Sequence, residues 1–205
     1  MWDLEKNQIT SDEVDTGPLH PKWLNTAWLS LSFVLTFMLF ANAYFSCGFS
    51  YIQAILLVFP ALLFARLAVL DLCYLVLLNI YTVPLFIFGF TYHFFFPGIG
   101  WQESLLGTLI AAGIGLCLSL LMAVINKQQG EFGMGDTKML AVMGAWVGAS
   151  TLPFAFAIAC MTNLLLAFFI SKKRVLPFGF GLVVGTWVMV AFKDPFMNAL
   201  FKFLS

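Results

Sequence analysis

Long uncharged stretches separated by short polar segments run through most of this chain. Residues 23–65 contain no charged side chain, and neither do residues 139–171. A helix needs about 20 apolar residues to cross a bilayer, so each stretch is long enough for two helices. Clusters of serine, glycine and proline at residues 46–50 and 148–153 supply the turns between them.

This pattern predicts an all-α fold, a polytopic membrane helix bundle of about seven transmembrane helices. The predicted spans are residues 27–46, 51–71, 80–96, 104–125, 137–150, 152–170 and 175–192. Residues 1–26 are predicted to be a cytoplasmic polar tail, followed by a transmembrane domain over residues 27–205. The tail is acidic and lacks the basic start and short apolar run of a cleavable signal peptide.

Composition agrees with a membrane protein and excludes several other classes. Hydrophobic residues make up 61% of the chain and charged residues 10%, whereas soluble domains carry about 25% charged residues. The net charge is zero and no long basic run occurs, so nucleic-acid binding is not expected. The four cysteines form no CxxC pair, and we predict no metal site, no disulfide framework and no cofactor.

The basic residues indicate which way the predicted spans cross the membrane. With the N-terminus in the cytoplasm, the seven spans leave only Lys193 and Lys202 on the opposite side. The basic residues on the cytoplasmic side are Lys6, Lys22, Arg66, Lys127, Lys138, Lys172, Lys173 and Arg174. Cytoplasmic loops are enriched in Lys and Arg, so this orientation is favoured over its inverse.

Two aspartates stand out because they lie at the edges of predicted spans on the same side of the membrane. Asp71 closes the second span and Asp136 opens the fifth, and an ionisable residue at membrane depth indicates a functional site. Two neighbouring carboxylates can share one proton, so that one acts as a base on water and the other as an acid. This is the chemistry of aspartic peptidases, which needs no metal.

The residues around Asp136 sharpen this interpretation. Residues 133–136 read GMGD, and glycines let another backbone approach closely, as an extended peptide substrate must. An aspartate at the start of a helix is also an ordinary capping residue. The GxGD pattern alone therefore leaves both interpretations open.

Three segments in order resemble the type IV prepilin peptidases, a family of GxGD membrane aspartic peptidases. Along the chain they are DLCYLVLLN at 71–79, GMGDTKML at 133–140 and LPFG at 176–179. The resemblance implies that Asp71 and Asp136 are catalytic. It also implies supporting roles for the other motif residues, Gly133, Gly135, Lys138, Asn79, Pro177 and Gly179.

The resemblance further implies a substrate and a location. The protein would cleave the leader peptide of a type IV prepilin or pseudopilin at the cytoplasmic face of the bacterial inner membrane, in contact with membrane lipid. From position alone, Lys138 is expected to anchor its helix at the membrane surface. Asn79 is expected either to cap the third span or to position the loop after Asp71.

The chain departs from the family pattern at three places. Leu78 stands where the family usually has proline, and Phe180 replaces a frequent second proline of the late motif. The paired CxxC motifs of the larger bifunctional members do not occur. The sequence therefore resembles a short form for which methyltransferase activity is not implied.

Other functions remain compatible with two membrane carboxylates. They could relay protons in a small transporter, although the paired broken spans typical of transporters are not evident. They could also be helix caps in a structural subunit. A presenilin-like peptidase is a third alternative, but its first aspartate follows tyrosine, whereas Leu70 precedes Asp71 here.

Overall fold

The computed structural model describes residues 22–45, 51–96, 99–126, 134–169 and 177–204. Within these ranges every regular element is a helix, which confirms the all-α prediction. The six helices are α1 Lys22–Phe45, α2 Tyr51–Tyr74, α3 Asn79–Phe95, α4 Trp101–Asn126, α5 Met134–Phe169 and α6 Phe178–Leu204.

The first four helices follow the predicted spans, but three details differ. α2 continues to Tyr74, so Asp71 lies inside its last turn and not at its end. The fifth and sixth predicted spans both belong to α5, which is interrupted only at Gly148 and not by a turn over 148–153. α6 continues to Leu204 through a non-helical residue, Phe192, where a separate interfacial segment was expected.

Gly148 reverses the direction of α5. Its backbone has φ 74° and ψ 171°, a region that is essentially restricted to glycine. A straight helix would place Gly135 and Asn163 about 42 Å apart, at 1.5 Å per residue. Instead Gly135 packs against Leu77, Leu77 packs against the first turn of α6, and that turn packs against Asn163. The two halves of α5 must therefore run in opposite directions, with Gly148 at the far end from these contacts.

Side chains from α3 and α4 satisfy the backbone groups that this break exposes. In an unbroken helix the Ser150 N–H would donate to the Trp146 carbonyl. Here it donates to Glu103 Oε2 at 3.2 Å, and the Trp146 carbonyl accepts a hydrogen bond from His93 Nε2 at 2.8 Å. Ser104 Oγ donates to the carbonyl of Ala145, the residue before Trp146, at 2.7 Å. Buried backbone groups need such partners, so α3 and α4 stabilise the reversal.

Tightly packed aromatic side chains form the centre of the bundle. Phe64 of α2 contacts Trp146 of α5 and Trp187 of α6, with ring centroids 5.6 and 5.5 Å apart. Both indole N–H groups donate to carbonyls of neighbouring helices, Trp146 to Leu85 and Trp187 to Leu35. A buried tryptophan needs a partner for this polar group, so these bonds fix the positions of α5 relative to α3 and of α6 relative to α1.

Small residues let α4 and the first half of α5 approach backbone to backbone. A Cβ on Gly107 would lie 2.6 Å from the Gly144 carbonyl oxygen, and one on Gly115 would lie 2.9 Å from Thr137. Small residues serve the same purpose in many membrane helix pairs. These contacts determine where along α4 the start of α5, which carries Asp136, is placed.

Among the described residues, three helical segments are long and apolar enough to cross a membrane, judged by length and composition. They are Tyr51–Tyr74, Trp101–Leu121 and Met134–Phe168, and the shorter apolar segments are Thr26–Ala41 and Phe178–Lys193. The predicted polar tail lies outside the described residues except for its last part, which begins α1.

Candidate active site

Asp71 is a buried carboxylate directed at the beginning of another helix. It is 4% exposed, and its Oδ2 accepts a hydrogen bond of 2.8 Å from the Phe180 backbone N–H. Phe180 is the third residue of α6, where backbone N–H groups have no partner within their own helix. The partial positive charge of a helix N-terminus stabilises an anion placed there. The last turn of α2 thus holds a carboxylate at the N-terminus of α6.

Gly179 makes room for this carboxylate. A Cβ at position 179 would lie 2.9 Å from Asp71 Oδ2 and 2.9 Å from Leu77 Cδ2. Real side chains do not approach so closely, so any larger residue would push Asp71 or Leu77 away. Pro177 is buried directly before α6. The predicted Pro-Phe-Gly segment is therefore the turn that receives Asp71.

The connector between α2 and α3, residues 75–78, is short and apolar. Leu75 has φ 56°, and its N–H donates to the Asp71 carbonyl at 2.9 Å. A non-glycine residue in this left-handed conformation costs roughly 1–2 kcal/mol. Leu75, Val76 and Leu78 are each more than 40% exposed, whereas Leu77 turns inward. Asp71 is therefore followed by a strained connector that presents apolar side chains outward.

Asp136 lies at the third position of α5 and is half-buried. The preceding glycine packs on the connector, since a Cβ on Gly135 would lie 3.2 Å from Leu77 Cβ. Leu77 consequently lies between the glycine that precedes Asp136 and Gly179, which contacts Asp71. Both aspartate-bearing segments meet at this one side chain.

Lys138 and Asn79 form a second link, which joins α5 to the start of α3. Lys138 Nζ donates to Asn79 Oδ1 at 3.0 Å. The expected capping role of Asn79 is wrong, because the N-cap of α3 is Leu78 and no side chain caps it. Asn79 instead ties the start of α3 to the helix that carries Asp136. Lys138 is exposed, as expected of an interfacial residue, but it also makes this contact.

Most of the predicted site residues therefore gather at one end of the bundle. Asp71 meets the turn formed by Pro177 and Gly179, while Gly135 and Lys138 meet the connector and Asn79. The remaining motif residue, Gly133, lies outside the described residues.

Sequence reasoning missed two contributors to this end of the bundle. One is Leu77, an ordinary leucine in an apolar run, for which no sequence signal exists. The other is Asn163, an amide buried beside the first turn of α6. A lone amide in an uncharged stretch of 33 residues, 139–171, was a signal that could have found it, since polar groups within membrane helices are costly.

No group of three or more histidine, cysteine, aspartate or glutamate side chains in the described ranges could hold a metal ion. The arrangement offers two carboxylates and a helix N-terminus. This is sufficient for acid and base chemistry on a water molecule.

Comparison with known proteins assigns the family. A family model described as the type IV leader peptidase family matches residues 55–168, more than half of the chain. The chain belongs to the type IV leader peptidase family. It is 30% identical over 171 residues to the prepilin leader peptidase/N-methyltransferase of Neisseria gonorrhoeae. That match covers 82% of this chain and 58% of the gonococcal protein, and no solved structure matches the chain.

Membership in the leader peptidase family confirms the resemblance inferred from the three motifs. Both Asp71 and Asp136 fall within the matched segment, whereas the turn at Pro177 follows it. Together with the long apolar helices, the family assignment indicates a multi-pass membrane protein.

Proposed function

We propose that this protein is a membrane-embedded aspartic endopeptidase that removes the leader peptide from type IV prepilins or pseudopilins. The observation that carries the proposal is the position of Leu77, which packs against Gly135 next to Asp136 and against Gly179, the glycine that contacts Asp71. The family assignment and the printed name of the gonococcal relative support the substrate class. The proposal covers the leader peptidase reaction and not methyl transfer.

The reaction would follow from two carboxylates that hold one proton between them. The ionised carboxylate removes a proton from water while the water oxygen attacks the scissile carbonyl carbon. The protonated carboxylate donates its proton to the carbonyl oxygen, which gives a neutral tetrahedral intermediate. Collapse of the intermediate breaks the C–N bond as the leaving nitrogen takes the proton that the first carboxylate removed from water. The second carboxylate recovers its proton from a hydroxyl of the intermediate, so the pair again holds one proton.

The surroundings of Asp71 suit this chemistry because they fix the orientation of the carboxylate. Oδ2 accepts the Phe180 N–H, and Gly179 lies against the same carboxylate, so its position and direction are set by the first turn of α6. Orientation of reacting groups contributes a large share of enzymatic rate enhancement. The exposed apolar connector next to Asp71 gives an apolar substrate segment a surface to approach.

We propose that the site faces the cytoplasm and that the N-terminus is cytoplasmic, in the inner membrane of a bacterium. The reversal of α5 at Gly148 supports seven crossings, because it separates this helix into two segments of opposite direction. With seven crossings, Asp71, Asn79, Lys138 and Pro177 fall on the side where Lys and Arg are concentrated.

Cleavage of a purified type IV prepilin by membranes containing this protein tests the proposal. We expect a shortened product whose new N-terminus, read by sequencing, follows the leader. Inverted vesicles, which expose the cytoplasmic face, should cleave added prepilin, and sealed right-side-out vesicles should not. Asp136→Asn should lower the rate by roughly 10²–10⁴-fold, the usual contribution of a general acid or base.

Folding of the Asp136→Asn variant would be checked by its thermal unfolding midpoint in detergent. A folded Asp136→Asn variant that cleaves at the wild-type rate would exclude this aspartate from the reaction. Cleavage confined to right-side-out vesicles would reverse the proposed topology.

A further inference from the structure

Asn163 is a buried amide on the second half of α5, and no feature of the proposed chemistry uses it. It is 3% exposed and its Nδ2 donates to the Phe178 carbonyl at 3.2 Å. Its Oδ1 finds no hydrogen-bond partner within the part of the chain that the structure describes. A polar group buried in an apolar bundle is costly, so its single bond to α6 calls for an explanation.

The first turn of α6 is held between Asn163 on one side and Asp71 on the other. The Phe178 carbonyl accepts from Asn163, and the Phe180 N–H, two residues later, donates to Asp71. The glycines are divided between the same two side chains, since Gly179 contacts Asp71 and Gly181 contacts the amide of Asn163. Residues 178 and 181 therefore face Asn163, and residues 179 and 180 face Asp71.

The orientation of the Asn163 amide is fixed by what it faces. The Phe178 carbonyl is only an acceptor, so the NH₂ group must point toward it. A flipped amide would bring two oxygens together and lose the bond. Gly181 leaves no space for the amide to move toward α6, because a Cβ there would overlap it.

We propose that Asn163 is a positioning residue for Asp71. By holding the Phe178 carbonyl, it fixes the first turn of α6 so that the Phe180 N–H stays directed at Asp71 Oδ2. The role in catalysis rests on the proposed function, whereas the role in orienting the turn does not. In this role Asn163 does not react with the substrate itself and acts on Asp71 only through the backbone of residues 178–180.

Kinetics of Asn163→Leu test the catalytic half of the proposal. Leucine has the same branched arrangement of heavy atoms but no donor, so the Phe178 carbonyl loses its partner without a cavity being opened. We expect kcat for prepilin cleavage to fall by about 10- to 100-fold, as for other small misplacements of a reacting group. KM should stay within about twofold, because Asn163 lies away from the proposed substrate surface.

Thr162→Val is the matched control on the neighbouring position. It also removes a hydrogen-bond donor from α5, but the Thr162 hydroxyl donates only to the carbonyl of Ile158 in its own helix, at 2.8 Å. Its kcat should match that of the wild type. Equal kcat values for Asn163→Leu, Thr162→Val and the wild type would overturn the catalytic half of the proposal.

A measurement of the Phe180 amide separates this inference from the proposed function. The protein is labelled with ¹⁵N-phenylalanine, and the Phe180 resonance is assigned by its loss in Phe180→Leu. Its amide proton should shift upfield in Asn163→Leu, because the bond to the carboxylate weakens, and stay in place in Thr162→Val. Gly181→Ala, which displaces the amide from the opposite side, should reproduce the shift.

A shift of the Phe180 amide in a protein that cleaves no prepilin would sustain the positioning role and refute the function. An unshifted Phe180 amide in both Asn163→Leu and Gly181→Ala would overturn the positioning role, whatever the activity.

Discussion

Asp71 and Glu103 occupy the two ends of the bundle and make the same kind of hydrogen bond. Each carboxylate accepts a backbone N–H at the start of a helical segment, Asp71 from Phe180 at 2.8 Å and Glu103 from Ser150 at 3.2 Å. Each lies where a helix N-terminus stabilises negative charge. The hydrogen bond alone therefore cannot tell a catalytic carboxylate from a capping one.

The surroundings of the two carboxylates differ in ways that bear on function. Glu103 is half-buried at a break whose other polar groups are satisfied by His93 and Ser104, so its bond completes a structural junction. Asp71 is buried against a glycine that leaves no room for a side chain, and the Asp136 helix start lies across Leu77 from it. A cap needs only its hydrogen bond. The close packing of Asp71 and the approach of the Asp136 helix start to Leu77 are the features on which the proposed chemistry rests.

Replacing the glycine beside each carboxylate with alanine should produce the largest contrast between the two ends, one variant losing activity and the other losing stability. Gly179→Ala would place a Cβ 2.9 Å from Asp71 Oδ2, and we expect cleavage to fall about 10²-fold, as a displaced reacting group does. Gly148→Ala would force alanine to φ 74° and a Cβ to 2.5 Å from Ile99. That conformation costs about 1–3 kcal/mol of folding free energy, while the rate per folded molecule should change little.

Initial cleavage rates and thermal unfolding midpoints, measured on the same preparations, check this contrast. Gly113→Ala on α4 is the control, since within the described residues no atom beyond its chain neighbours and its own helix backbone lies within 4 Å of the added Cβ. A Gly179→Ala variant that loses stability but keeps its cleavage rate would mean that Asp71, like Glu103, only caps a helix.

A smaller contrast is expected between the polar links of the two ends. Lys138→Met removes the exposed bond between α5 and the start of α3. Because water can replace an exposed bond, stability should fall by no more than about 0.5 kcal/mol, whereas cleavage should slow by up to about tenfold because the helix start that carries Asp136 is held less firmly. Ser104→Ala removes a buried bond at the break and should lower the free energy of unfolding by about 1 kcal/mol without slowing cleavage per folded molecule.

A double variant shows whether the lysine acts through the asparagine. Asn79→Leu alone should slow cleavage as much as Lys138→Met, and the double variant should be no slower than either. Additive losses in the double variant would mean that the two side chains act separately.

The hydrophobic pattern predicted the helices well because membrane spans are set by length and apolarity. The first uncharged stretch was correctly divided into α1 and α2, whereas the two spans predicted in the second stretch form one helix, α5, with a break at Gly148. Asp71, Asp136 and Gly179 were singled out by motif. The position of the break in α5 was predicted only loosely. A turn of six residues was expected, but one glycine suffices because Glu103, Ser104 and His93 supply the missing partners.

What the sequence could not predict are contacts that depend on which helix faces which. Asn79 was expected either to cap its own helix or to position the loop after Asp71, and its bond to Lys138, 59 residues away, appears only when α3 and α5 are packed. Asn163 and Leu77 belong to the same class. Neither has a local signal for its partner, since hydrophobic periodicity places a residue on a face but does not name the neighbour.

The most direct test of the central claim is a side-by-side measurement of Asp71→Asn and Glu103→Gln. Each substitution removes only the charge, because the amide oxygen can still accept the backbone N–H, so both unfolding midpoints should stay close to that of the wild type. Asp71→Asn should lower the initial rate of prepilin cleavage by roughly 10²–10⁴-fold, and Glu103→Gln should cleave like the wild type. Equal rates in the two folded variants would contradict the account, since Asp71 would then be a helix cap of the same kind as Glu103.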